Sequence, residues 1–222
     1  MSAASEFTES DSLDVVVRIQ MKQFDVILDT RRAAIKVRTT IEHEILLGDP
    51  GAAVVLDFRG VRAATVTFVD ECLGVLLANH ATRYYGNHPI LAVNANEDVS
   101  ETIAVTLANR KLALLHLKNP PELLGGDEIL NQTLSKAWNL GRFTAGDLAG
   151  NMGLSPQAVN NRLKALVRRG ALRRALVVPS GGGKEFVYAI PENKRERRRS
   201  SPPVESKVHQ QPTWPNRNMS SS

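Results

Sequence analysis

The sequence predicts an α/β layer of mixed or parallel strands, followed by a small helical domain that closes with a β-hairpin. Three observations carry this expectation. Between residues 14 and 117, short runs rich in Val, Ile and Leu alternate with helix-length amphipathic segments. One of those runs, AVVLDF at residues 53–58, is apolar almost throughout, as a strand covered on both faces must be. From residue 127 the strands give way to three helix-length segments. Two strand-like runs around a Gly-rich turn follow them.

Taken in order, residues 1–12 are small and polar and are expected to be disordered. Residues 14–21 (DVVVRIQM) alternate Val15, Val17 and Ile19 on one face of a strand. Asp29 or Thr30 can cap a helix over residues 31–46, whose apolar members Ala34, Ile41 and Ile45 fall on one side. Gly48-Asp49-Pro50-Gly51 is a turn, and the strand 53–58 follows. Residues 68–79 form a helix that is apolar on most of its circumference, through Phe68, Val69, Cys72, Leu73, Leu76 and Leu77. Thr67 and Asp70 are spaced as a capping box for it. PILAV at 89–93 reads as an interior strand. Asp98 and Glu101 are spaced to open a helix ending near residue 109, and LALLHL at 112–117 reads as a fourth strand.

Pro120-Pro121 and Gly125-Gly126 mark residues 119–126 as a linker. Asp127 can cap a helix with Leu130, Leu134, Ala137 and Trp138 in one stripe. The informative stretch is 144–171, TAGDLAGNMGLSPQAVNNRLKALVRRGA. Ala145, Leu148, Ala149 and Met152 make one apolar face, and Gly153 can end that helix in the left-handed region. Ser155 offers an N-cap oxygen and Pro156 a pre-set first position for a second helix. That helix buries Val159, Leu163, Leu166 and Val167. Its opposite stripe is Gln157, Asn161, Lys164 and Arg168, with Asn160 beside it. Such a stripe has amides that suit base edges and cations that suit phosphates. Two strands follow, 171–178 and 184–190, joined by Pro179-Ser180-Gly181-Gly182-Gly183. Phe186, Tyr188 and Ile190 alternate on one face of the second, and Lys184 stands near the tip.

The phrases DLAGNMGLSPQAVNNRLKALVRRGAL and KEFVYAI resemble the winged helix-turn-helix of bacterial transcription regulators. The resemblance covers residues 127–191 and implies a second helix lying in a major groove. It implies DNA contacts from Ser155, Gln157, Asn160, Asn161, Lys164, Arg168 and Lys184. A winged helix can also serve purely as a protein-docking module.

The segment VVLDFRGVRAATVTFVDECLGVLLANH resembles the STAS fold, the family of anti-sigma factor antagonists and of the cytoplasmic domains of sulfate transporters. It looks closer still to the STAS-like branch found in bacterial regulatory proteins. Anti-sigma factor antagonists carry a phosphorylatable Ser at the start of this helix. Here only Thr67 is a plausible counterpart, with Asp70 and Glu71 beside it. A plain capping role for Thr67 is the better reading, because two carboxylates oppose a phosphate there.

The expectation is therefore an α/β chain: a STAS-like mixed β-sheet with helices at 13–118, a linker at 119–126 and a winged helix-turn-helix at 127–191. A basic tail rich in Ser and Pro, expected to be disordered, follows at 192–222. Charge follows the same division. Residues 1–150 carry 14 Lys/Arg against 19 Asp/Glu, and residues 151–222 carry 14 against 4. A basic back half points to a polyanionic partner for that half alone.

The single cysteine, Cys72, excludes an internal disulfide. No apolar run is long enough to span a bilayer and the N-terminus lacks signal-peptide regions, so a cytoplasmic protein is expected. None of His43, His80, His88, His116 and His209 stands at metal-ligand spacing. The Gly-rich turn before Lys184 precedes no helix, so it is no phosphate loop. Asp57, at a strand end, has no catalytic partner nearby in sequence and reads as a turn former. Neither a cofactor nor enzymatic activity is expected. The expected function is a bacterial DNA-binding regulator whose STAS-like domain binds a partner or a second copy. The rival is a protein-interaction adaptor of a partner-switching pathway.

Overall fold

The computed structural model describes residues 16–49, 51–81, 88–178, 182 and 184–191. The terminal segments expected at 1–12 and 192–222, and most of the turn at 179–183, lie outside the described residues. From the N-terminal side the chain forms β1 (Val16–Gln20), β2 (Ile27–Leu28), α1 (Arg31–Leu47), β3 (Ala53–Asp57) and β4 (Ala63–Ala64). A continuous helical rod follows, made of α2 (Val66–Val69), a wider π turn (Asp70–Gly74) and α3 (Val75–Ala81). Then come β5 (Ile90–Val93), α4 (Glu97–Asn109), β6 (Leu114–Leu117) and β7 (Glu122–Leu124). The remainder is α5 (Glu128–Leu140), β8 (Phe143–Thr144), α6 (Ala145–Met152), α7 (Pro156–Arg168), β9 (Arg173–Val177) and β10 (Glu185–Ala189).

The main sheet has the order β1-β3-β5-β6-β7, with the first four strands parallel and β7 antiparallel to β6. The four parallel strands are laid down in sequence order. Right-handed crossovers then place every connecting helix on the same face. On that face Val54, Leu56, Ile90, Ala92 and Leu114 pack with Ile41 of α1, Phe68 and Leu76 of the central rod and Ile103 of α4. Alternate strand residues point the other way. Ala53, Val55, Leu91, Val93, Leu115 and Leu123 form one apolar cluster with Leu130 and Leu134 of α5 and Leu163 and Leu166 of α7. The C-terminal helices thus cover the second sheet face. This accounts for the unbroken burial of β3.

Three local expectations need correction. Thr65, not Thr67, caps the central rod: its Oγ1 accepts from the Phe68 N–H at 3.2 Å and donates to the Asp29 carbonyl at 2.7 Å. The pairing of β4 with β2 sets this start, through the Thr65 N–H on the Leu28 carbonyl. Thr67 falls inside the first turn, and Asp70 binds the Arg110 guanidinium instead of closing a capping box. Likewise Asn96 caps α4, accepting from the Val99 N–H at 2.8 Å, so Asp98 falls within the first turn of the helix and Glu101 just beyond it.

The third correction concerns residues 119–126, expected as a linker. They contain β7, whose Leu123 and Leu124 pair with Leu115 and Leu114. Asn131 of α5 both accepts from the Leu123 N–H and donates to the Leu123 carbonyl, tying the strand to the next helix. The glycines there are packed. Gly125 has φ of 81°, and a β-carbon on it would lie 2.6 Å from the Leu112 carbonyl oxygen and 2.7 Å from Leu107 Cβ. Gly125→Ala is therefore expected to lower stability by about 2 kcal/mol or more, by combining a left-handed backbone with a rigid clash. A linker glycine would tolerate the change, so an unaltered denaturation midpoint would contradict this packing.

Candidate nucleic-acid interface

The site is built by two caps and one apolar stripe. Thr144 and Asp147 cap α6 reciprocally: Thr144 Oγ1 accepts from the Asp147 N–H, and Asp147 Oδ2 accepts from the Thr144 N–H. Gly153 ends α6 at φ 64°, where a side chain is strained. Ser155 then caps α7 through the Ala158 N–H, and Pro156 takes the first helical position. Val159, Leu163 and Leu166 are fully buried, which fixes the rotation of α7 about its axis. Gln157, Asn161, Lys164 and Arg168 are in consequence all exposed, on one stripe. Asn160 is half-buried beside them. Arg162 turns inward and donates to the Thr133 hydroxyl of α5 at 3.3 Å. The helix contains no acidic residue, so the stripe presents two amides and two cations with no carboxylate on the same helix.

The three-stranded antiparallel sheet β8-β10-β9 stands beside these helices. Tyr188 and Ile190 are buried as the alternation requires, and Tyr188 stacks on Phe143 with ring centroids 5.9 Å apart. Phe186 keeps the same face but is exposed, because the hairpin runs past the core. Lys184 is exposed near the tip. Ser155, Gln157, Asn160, Asn161, Lys164 and Arg168 thus lie on α7 and its cap, with Lys184 on the hairpin.

Sequence reasoning missed two arginines. Arg174 sits with its guanidinium carbon 4.3 Å above the Phe186 ring. Arg173 donates to the Gly51 carbonyl at 2.7 Å, fastening the hairpin to the turn before β3. Strand register is the signal that finds the first of these. The second joins residues 122 positions apart, and no local pattern encodes it.

The α/β part contains other groups of interest. Asp57 is buried where β3 ends. Burial pushes its carboxyl up, but hydrogen bonds from Asn94, the Arg59 N–H and Arg18 outweigh this and hold it below the usual carboxylate range. It is a turn former, as expected, and also a cross-strand ion-pair partner of Arg18. Thr67 is exposed in the first turn of α2. Nearby, Asp70 pairs with Arg110, and Glu71 pairs with Arg38 and Arg31. Burial pushes the Cys72 thiol up to about 12, which makes it an unreactive core residue. Among the described residues no group of three or more His, Cys, Asp or Glu could hold a metal ion. No described helix is long and apolar enough to cross a membrane.

His80 and His88 lie where the two parts meet. His80 Nε2 bonds the His88 carbonyl, and His88 Nδ1 bonds the Ala52 carbonyl at 2.9 Å. A β-carbon on Gly170, just past α7, would lie 3.9 Å from both His80 and Pro89. Burial pushes the pKa of His80 below its ordinary 6.5. The folded state then favours the neutral ring, while the unfolded chain takes up a proton as pH falls through 6.5. This contribution to stability is full above that pH and declines below it. The thermal midpoint of wild type is expected to fall between pH 7 and pH 5, and His80→Gln should reduce that part of the slope. An identical slope in the variant would remove His80 as its source.

Comparison with known proteins covers the front of the chain. No curated protein and no solved structure matches it. Residues 33–99, from α1 into the first turn of α4, match the family model described as a STAS-like domain of unknown function, so this part of the chain is similar to that family.

Proposed function

We propose that this protein is a bacterial, cytoplasmic DNA-binding regulator. On this reading the unit at 127–191 is a winged helix-turn-helix, α7 is its recognition helix, and the STAS-like part binds a protein partner or a second copy. The observation that carries the reading is the single exposed stripe Gln157–Asn161–Lys164–Arg168, free of carboxylates on a helix whose rotation the core fixes. A major groove admits an α-helix, and this stripe would turn amides toward base edges and cations toward phosphates. The basic segment Arg195, Arg197, Arg198 and Arg199 adds sequence-independent attraction. The function is binding, not catalysis, and needs no cofactor.

One observation favours the adaptor as a second reading. Ile27, Ile35 and Val66 are exposed apolar side chains on β2, α1 and the first turn of α2. They suit a protein partner on the STAS-like part, as STAS-like domains often serve protein interactions. Titration of a mixed-sequence duplex in rising salt separates the two. A regulator that neutralises several phosphates loses affinity steeply, with a log–log slope of about −0.9 per phosphate. Absence of duplex binding at low salt would leave the adaptor reading in its place.

A further inference from the structure

We propose that the β9–β10 hairpin is an apolar wedge that bends duplex DNA, with Leu176 and Phe186 pressed into the minor groove beside Arg174. This rests on the duplex-binding reading above and adds an activity to it, deformation of the bound DNA.

The strand register places the parts. Phe186 is paired with Leu176, and Tyr188 with Arg174. Directly paired residues of an antiparallel ribbon point to the same side, as do alternate residues along each strand. Arg174, Leu176, Phe186 and Tyr188 therefore share one face. Its inner part is core: Tyr188 is buried and stacked on Phe143. Its outer part is exposed, apart from the Arg174 guanidinium that lies over one side of the Phe186 ring. Leu176 is 53% exposed, Val178 62% and Phe186 43%. Glu185, the carboxylate within β10, alternates to the opposite face, away from this surface.

A hairpin that only touched phosphates would gain nothing from three large apolar side chains in water. A wedge needs them. Minor-groove proteins that kink DNA push apolar side chains between base steps and hold the flanking backbone with cations. The cations here are Arg174 and the exposed Lys184. The Phe186 ring restrains the Arg174 guanidinium at 4.3 Å, so the cation is aimed before DNA arrives. A lipid surface or a protein could also take an apolar face. Charge complementarity and the amide-and-cation stripe of α7 favour the duplex.

The test is the bend of bound DNA, measured on the full chain. A duplex of about 30 base pairs, long enough for a bend to shorten the end-to-end distance, carries donor and acceptor dyes at its two ends. Wild type is expected to raise energy transfer on binding, corresponding to a kink of about 20–90°. The double variant Leu176→Ser/Phe186→Ser should bind and leave the duplex straighter. Lys164→Ala should lose affinity while its bound fraction stays bent. Both altered side chains of the double variant are exposed, so an unchanged thermal midpoint will show that it folds. Binding by wild type without a bend, or an equal bend in the double variant, overturns the wedge and leaves the duplex-binding reading intact. No duplex binding by wild type at low salt overturns both. Binding of wild type to anionic phospholipid vesicles, lost in the double variant, together with an unbent duplex, would assign the face to lipid.

Discussion

Leu91→Asp is expected to unfold the α/β layer and the C-terminal helices in one transition. Leu91 lies on an interior strand, is 1% exposed, and belongs to the cluster that joins the sheet to α5 and α7. An aspartate there leaves a carboxylate between two apolar layers, in a cluster that contains no cation. The side chain also loses its own burial, worth about 1.5–3 kcal/mol. Together with the desolvation penalty this exceeds about 4 kcal/mol, a large part of the stability of a domain this size. The informative feature is which parts melt. Were the halves independent, α5–α7 would keep their helical signal while the sheet melted. Amide exchange measured along the chain distinguishes the outcomes. Protection retained in α7 of the variant would show that the shared cluster contributes little to the C-terminal helices.

That coupling was only partly legible in the sequence. The unbroken apolar run AVVLDF said that β3 is covered on both faces, and it is. What covers the second face was not legible. The apolar stripe of α5 reads equally well as facing its own small domain, and Pro and Gly at 119–126 reads as a break. Both readings use local information, whereas the Asn131 bonds to Leu123 and the Arg173 bond to Gly51 depend on tertiary placement. Caps show the same limit. Asp127 and Ser155 were found because each stands directly before a periodic segment, and for α1 the structure decides for Thr30 between the two candidates Asp29 and Thr30. Thr65 and Asn96 were missed because a neighbouring residue also matched a capping spacing, and only β4 pairing and the Asn96 bonds to the Val61 and Arg62 carbonyls decide between them. The stripe on α7 was fully legible, since one helix and its own buried residues determine it. Phe186 was read onto the correct face but not onto its exposed end, because alternation gives a side and not a distance from the core.

The stripe carries the second large expected effect, and its residues should not behave alike. Gln157 and Asn161 lie in the first two turns of α7, where a recognition helix meets base edges, with Asn160 beside them. An Asn or Gln amide can both donate to and accept from adenine, so its loss costs about 1–3 kcal/mol at one base pair. Lys164 and Arg168 lie one and two turns further on and should meet phosphates, which carry no sequence information. Asn161→Ala is therefore expected to relax preference at one position of the bound site. Lys164→Ala should weaken every sequence alike and reduce the salt slope by about one unit. The double charge reversal Lys164→Glu/Arg168→Glu places two carboxylates against the backbone and should abolish binding. All these side chains are outside the core, so the fold is expected to survive and circular dichroism will register any exception. Selection from a randomised duplex library, wild type beside the variants, gives the answer. Uniform loss from both single variants would make α7 a phosphate clamp. Wild-type selection by the double reversal would mean that this face does not bind DNA, and the adaptor reading would replace the regulator.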